Sequence, residues 1–187
     1  MIAYHFVSNT LRDGRPIPAD SEWLEHDGQV KICSSGLHYS LHPFDALTYA
    51  PGATLCMVEI DGIIDQQSDK GVCTRRKIIK RINATELLRS FARQQALSVL
   101  HLWDAPQIVK DYLLTGAEDL QDAAGAAARA AVDAAWAAGA AVEAAWAAGA
   151  AAWAAVDAED AEAAARAARA AARAVFAKMV SEAFENV

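Results

Sequence analysis

The chain has no Cys-x-x-Cys pair, no glycine-rich phosphate loop and no strongly apolar run of about 18 residues, and each absence removes a class of function. Its three cysteines, Cys33, Cys56 and Cys73, are odd in number and stand singly, which predicts reduced, mostly buried thiols rather than a disulfide framework. Gly14, Gly28, Gly36 and Gly52 are scattered, so ATP and dinucleotide chemistry of the P-loop or Rossmann kind is set aside. The first residues carry no charged leader, and the expectation is a cytoplasmic protein with no membrane span. Cys33, His38 and His42, with His26 as a fourth candidate, match no zinc spacing, so neither a metal nor a cofactor is expected. Ser34 and Ser35 lie near His38 but lack the strand-turn-helix elbow of a hydrolase nucleophile.

Basic charge is also scarce. The net charge is -7; residues 1–117 carry 12 basic and 13 acidic side chains, whereas residues 118–187 carry 5 and 11. An acidic C-terminal third repels phosphate backbones, so no nucleic-acid partner is expected. The run Arg75, Arg76, Lys77, Lys80 and Arg81 is a local exception, and its interleaved isoleucines read as a solvated strand face.

What remains divides by vocabulary. Residues 1–116 hold all the histidines and cysteines and read as an α+β head, a small mixed or antiparallel sheet with short helices; residues 117–187 are about half alanine. Strands are predicted over Ile2–Val7, Gln29–Cys33, Thr54–Ile60 and Val72–Ile82, with a turn at Asp61-Gly62. Pro43 at the first turn of a short helix, stopped by Pro51-Gly52, costs no hydrogen bond. Asn83 and Glu86 form a capping-box signal for a helix through Leu97, and a further helix runs from about Asp104 to a left-handed cap at Gly116.

The 117–187 arm is expected to be all helix, one long rod or a hairpin, because alanine outweighs the cost of about 1 kcal/mol for each interior glycine. Its ten-residue near-repeat, Asp133 to Val142 and Glu143 to Ala152, places Trp136, Trp146 and Trp153 among small residues. Alanine methyls bury little area, so the tryptophans ask for a partner. The expectation is a homo-oligomer built through Val132, Trp136, Gly139, Trp146, Gly149 and Trp153, with a protein partner as the alternative use of that surface.

The most distinctive stretch is Ser35-Gly36-Leu37-His38, Asp45-Ala46-Leu47-Thr48-Tyr49-Ala50 and Val58-Glu59-Ile60-Asp61-Gly62, preceded by Glu25-His26-Asp27-Gly28. These elements resemble an uncharacterised domain family common in phage and prophage genomes, some of whose members carry alanine- and tryptophan-rich tails. That resemblance covers most of residues 1–115 and implies no particular activity. More remotely, the order of elements is similar to ADP-ribosyltransferase-like folds, in which a Gly-x-x-Tyr-like strand precedes a short helix ending in Tyr. The resemblance implies that His5 lies under a nicotinamide ribose, that Tyr49 stacks near the ring, and that His38 shares the ligand site. The acidic residue such enzymes place on a late strand has no counterpart between Val72 and Ile82. Transfer chemistry of the usual kind is therefore not expected, while nucleotide binding survives. Taken together, the reading is a non-enzymatic interaction or assembly protein of phage or mobile-element origin, with a nicotinamide-type nucleotide site as the alternative.

Overall fold

Five strands form, β1 (Ile2–Val7), β2 (Trp23–Glu25), β3 (Leu37–Tyr39), β4 (Thr54–Gln66) and β5 (Gly71–Asn83), the three longer ones, β1, β4 and β5, being rich in β-branched residues that alternate with polar ones. The computed structural model describes residues 1–11, 14–98, 100–102, 104–130 and 157–187. Every described strand pairing is antiparallel, in the order β1-β4-β5-β2, with β3 beside β2 along the same edge of β5. The long β4-β5 hairpin runs in register from Thr54↔Asn83 to Gln66↔Gly71.

The two edges of this sheet nearly meet. Tyr4 N–H donates to the Ser40 carbonyl at 2.8 Å and Ser40 N–H to the Tyr4 carbonyl at 3.0 Å, so the chain leaving β3 is tied back to β1. That single bridge curls the sheet round a core of Ala3, Val7, Leu37, Tyr39, Cys56, Val58, Ile60, Cys73 and Ile78.

Two sequence expectations need correction. Gln29–Cys33 is not a strand: Lys31 and Ser35 exchange backbone hydrogen bonds across a tight turn, and Cys33 sits at φ 63 with an exposed side chain. Asp61-Gly62 does not end its strand either. β4 continues to Gln66 because the Asp61 carboxylate accepts the Gly62 N–H and register shifts absorb the extra residue between Ile63 and Asp65.

Helix α1 (Pro43–Leu47) starts as its sequence dictates, with Pro43 in the first turn and the His42 Nδ1 accepting the Phe44 N–H at 3.2 Å. Helix α2 (Thr85–Ser98) begins where Asn83 Oδ1 accepts the Thr85 N–H at 3.0 Å, while Glu86 pairs with Arg89 at 2.7 Å instead of completing a capping box.

Packing divides the chain into two compact units, Met1–Arg89 with Arg173–Val187, and Ser90–Ala172. In the second, α3 (Gln107–Thr115) ends at Gly116, φ 69, whose N–H donates to the Tyr112 carbonyl at 2.7 Å. Residues 118–130 then form helix α4, and Ala105, Val109 and Ala124 make the α3-α4 core.

Helix α5 (Asp157–Glu185) brings its last turns into the first unit. Phe176, Val180 and Phe184, spaced four apart on one helix face, are all buried. Phe176 meets Phe44 of α1 edge-on with ring centroids 6.1 Å apart, Arg173 pairs with the buried Asp45 at 2.7 Å, and Lys80 Nζ donates to the Phe184 carbonyl at 3.2 Å. The residues singled out for oligomerisation, Val132, Trp136, Gly139, Trp146, Gly149 and Trp153, lie outside the described residues.

Candidate functional site

A cleft of about 860 Å³ opens where the two sheet edges part company. Beyond the Tyr4-Ser40 bridge no strand among the described residues pairs with the outer edge of β1, so the outward-facing backbone at Phe6 has no described strand across from it. The residues lining the gap come from β1 on one side and from β2, β3 and the 33–36 turn on the other. Tyr49 and Lys70 lie at its exposed end.

The period of a strand places His5 and Arg76 inside. His5 lies between Ala3 and Val7, both core residues, and Arg76 shares its face of β5 with buried Ile78. Arg76 is 6 % exposed, and its Nη1 donates to the His38 carbonyl. No carboxylate lies within salt-bridge distance of it among the described residues. Burial lowers its pKa to about 10, which leaves the guanidinium charged at neutral pH.

His5 is held well below its ordinary pKa, first by burial and then by the charges of Arg76 and His38, so it is a neutral imidazole. Cys56 and Cys73 flank the same floor; burial pushes both up to about 11, and they stay thiols. None of the described residues lining the cleft is acidic.

The structure brings His5, His38 and Tyr49 to this one cleft. His38 is committed to the framework: its Nε2 accepts the Cys33 N–H at 2.9 Å and its carbonyl accepts from Arg76. The turn that sequence reading took for a strand thus orients the imidazole. Tyr49, 46 % exposed, donates its hydroxyl proton to Asp69 and accepts from Lys70 Nζ at 3.3 Å. The Asp69 hydrogen bond is the main reason its phenol pKa is raised. Tyr4 also lines the cleft, with its pKa raised by burial. The His26 Nε2 is buried without a hydrogen bond on the same wall.

Arg76 is the residue that the sequence reading missed. Arg75, Lys77 and Arg81 are indeed outward, paired with Glu25 and Asp61, with Glu59, and with Asp20. Adjacent arginines on a strand face opposite ways, so one of Arg75 and Arg76 had to enter the core. Among the described residues no group of His, Cys, Asp and Glu is placed to hold a metal ion, and no helix is long and apolar enough to cross a membrane.

His5 makes acid a stress on the fold. An unfolded chain binds a proton at pH 6.5 that the folded one refuses, so stability is full above that pH and falls as pH drops below it. His42, lowered by burial and by Arg173, acts in the same sense. Thermal melts between pH 7.5 and 5 are expected to show a falling midpoint, and His5→Gln to reduce the slope while leaving the His42 share. An unchanged slope in His5→Gln contradicts this reading of the floor.

Residues 1–90 match a family described as a domain of unknown function, DUF7666. The match spans the five strands, α1 and the start of α2. No curated protein and no solved structure matches the chain.

Proposed function

We propose that the head is a non-enzymatic binding domain for a nucleotide-type small molecule, carried on an alanine-rich arm that associates with further copies of itself. The observation that carries the binding reading is the convergence of His5, His38, Tyr49 and a buried, unneutralised Arg76 on a cleft whose described lining has no acidic side chain. The volume suits a ligand of mononucleotide size or larger. Tyr49 offers a ring face at the mouth, and the free backbone of β1 offers amide groups for an edge of the ligand. Transfer catalysis is not part of the proposal, because no carboxylate among the described lining residues is placed to stabilise a developing positive charge.

Calorimetric titration of the full chain with nicotinamide adenine dinucleotide, whose phosphates are of the diester type, tests it. His5→Ala and Tyr49→Ala are each expected to weaken binding at least tenfold with the melting transition still cooperative. Equal affinity in both variants sinks the reading.

The assembly half rests on the sequence of the arm alone. Light scattering of the full chain is expected to give an oligomer that becomes a monomer in the Trp146→Ala, Trp153→Ala double variant. A wild-type monomer contradicts it. Truncation at Gly116 is not a suitable control, because it also removes Phe176, Val180 and Phe184 from the head.

A further inference from the structure

We infer that Arg76 is the seat for an oxyanion carrying a single negative charge, a phosphodiester-type phosphate or a carboxylate, at the floor of the cleft. The inference rests on the small-molecule reading above and says which group of the ligand goes where. Arg76 is 6 % exposed, so its guanidinium has lost most of its hydration, a loss that a carboxylate partner ordinarily offsets. Here the only described partner is the neutral carbonyl of His38. The rest of β5 shows that partners were within reach of this strand: Arg75, Lys77 and Arg81 each have a carboxylate.

Among the described residues none neutralises the charge from the side. Cys56 and Cys73 remain thiols, and His5 is an uncharged imidazole able to donate one hydrogen bond or accept one. His5 and His38 approach from β1 and β3, and Leu24 and Ile60 are the strand neighbours of Arg76 on β2 and β4, so among the described residues lining the cleft none brings a negative side chain to it. The fork geometry of guanidinium matches the two oxygens of a carboxylate or phosphate, and Arg76, which spends its Nη1 on the His38 carbonyl, lines the cleft. Charge balance selects the ligand's valence. The other described cations lining the cleft, Arg15 and Lys70, are not buried, so at the floor one buried cation compensates one negative charge, whereas a dianionic phosphate monoester leaves a net charge there.

The test uses the full chain and three probes, dimethyl phosphate, benzoate and methyl phosphate at pH 7.5, read as the shift in melting temperature with concentration. The wild type is expected to be stabilised by the two monoanions and by methyl phosphate at least tenfold more weakly. Whichever of dimethyl phosphate and benzoate acts at lower concentration identifies the phosphate or the carboxylate source. Arg76→Met is expected to lose the response altogether and, without ligand, to melt at the wild-type temperature or above it, because a buried unpaired charge has been replaced by an apolar side chain. Should Arg76→Met not fold, Arg76→Gln keeps a donor for the His38 carbonyl and is expected to lose the response equally.

Two outcomes overturn the inference. One is an unchanged response to the monoanions in either variant; the other is a wild type that binds nicotinamide adenine dinucleotide but no simple monoanion. A wild type that binds none of the four compounds overturns the small-molecule reading itself.

Discussion

Replacing Phe176 by alanine is expected to destabilise the head by about 3–5 kcal/mol, the usual cost of emptying a fully buried phenylalanine site. Phe176 is 0 % exposed and its ring stands edge-on to Phe44, 6.1 Å away, at an interplanar angle of 72°. Val180 and Phe184 continue the same buried stripe down α5, so the three side chains form one wedge whose first ring packs on α1. Deleting residues 173–187 removes the wedge together with the Arg173 partner of Asp45, which is 3 % exposed and is then left as a buried, unpaired carboxylate. Domains of this size are stable by about 5–15 kcal/mol, so the deletion is expected to leave no cooperative unfolding transition. Urea denaturation followed by circular dichroism measures both. A loss under about 1 kcal/mol for Phe176→Ala contradicts the packing described here.

The second large effect lies at Gly36, which immediately precedes β3 and lines the cleft. Its φ is +105, and a Cβ built there lies 2.6 Å from Val72 Cγ2 and 2.8 Å from Val30 Cγ1. Val72 is fully buried on β5, paired with His38, and has nowhere to retreat. Gly36→Ala therefore carries backbone strain of about 1–3 kcal/mol and overpacking of a similar size. Because β3 sets the position of His38 and of the carbonyl that holds Arg76, the variant is expected to lose ligand affinity as well as stability. A urea midpoint equal to wild type contradicts this account of the turn.

The sheet was legible where the pattern ran long. β1, β4 and β5 follow from alternation, and α1, α2 and α3 from proline, asparagine and glycine at their ends. β2 and β3 are three residues each, too short for a period to declare itself, and they exist because β5 offers them an edge. The 29–33 segment looked like a strand from its apolar residues, but Cys33 takes a positive φ that no propensity anticipates.

Two further signals were in the sequence and were outweighed. Phe176, Val180 and Phe184 have the spacing of a buried helical stripe, yet they sit at the end of an alanine run whose composition dominates its reading. Arg76 was absorbed into a basic run whose other members do face outward, although strand alternation required one of two adjacent arginines to turn in. His5, His38 and Tyr49 were singled out as ligand residues on the strength of a resemblance, and they line a common cleft. What that cleft binds is written in its charge, and the charge is visible only once Arg76 is seen to be buried and without a carboxylate.

The most direct test is a two-dimensional amide NMR titration of the full chain with nicotinamide adenine dinucleotide. The account predicts that resonances of Tyr4, His5, Phe6, Gly36, His38 and Tyr49 shift together along one binding curve, while those of Phe176, Val180 and Phe184 in the wedge stay in place. Shifts that are absent at saturating ligand, or that cluster on the wedge and leave the cleft unmoved, contradict it.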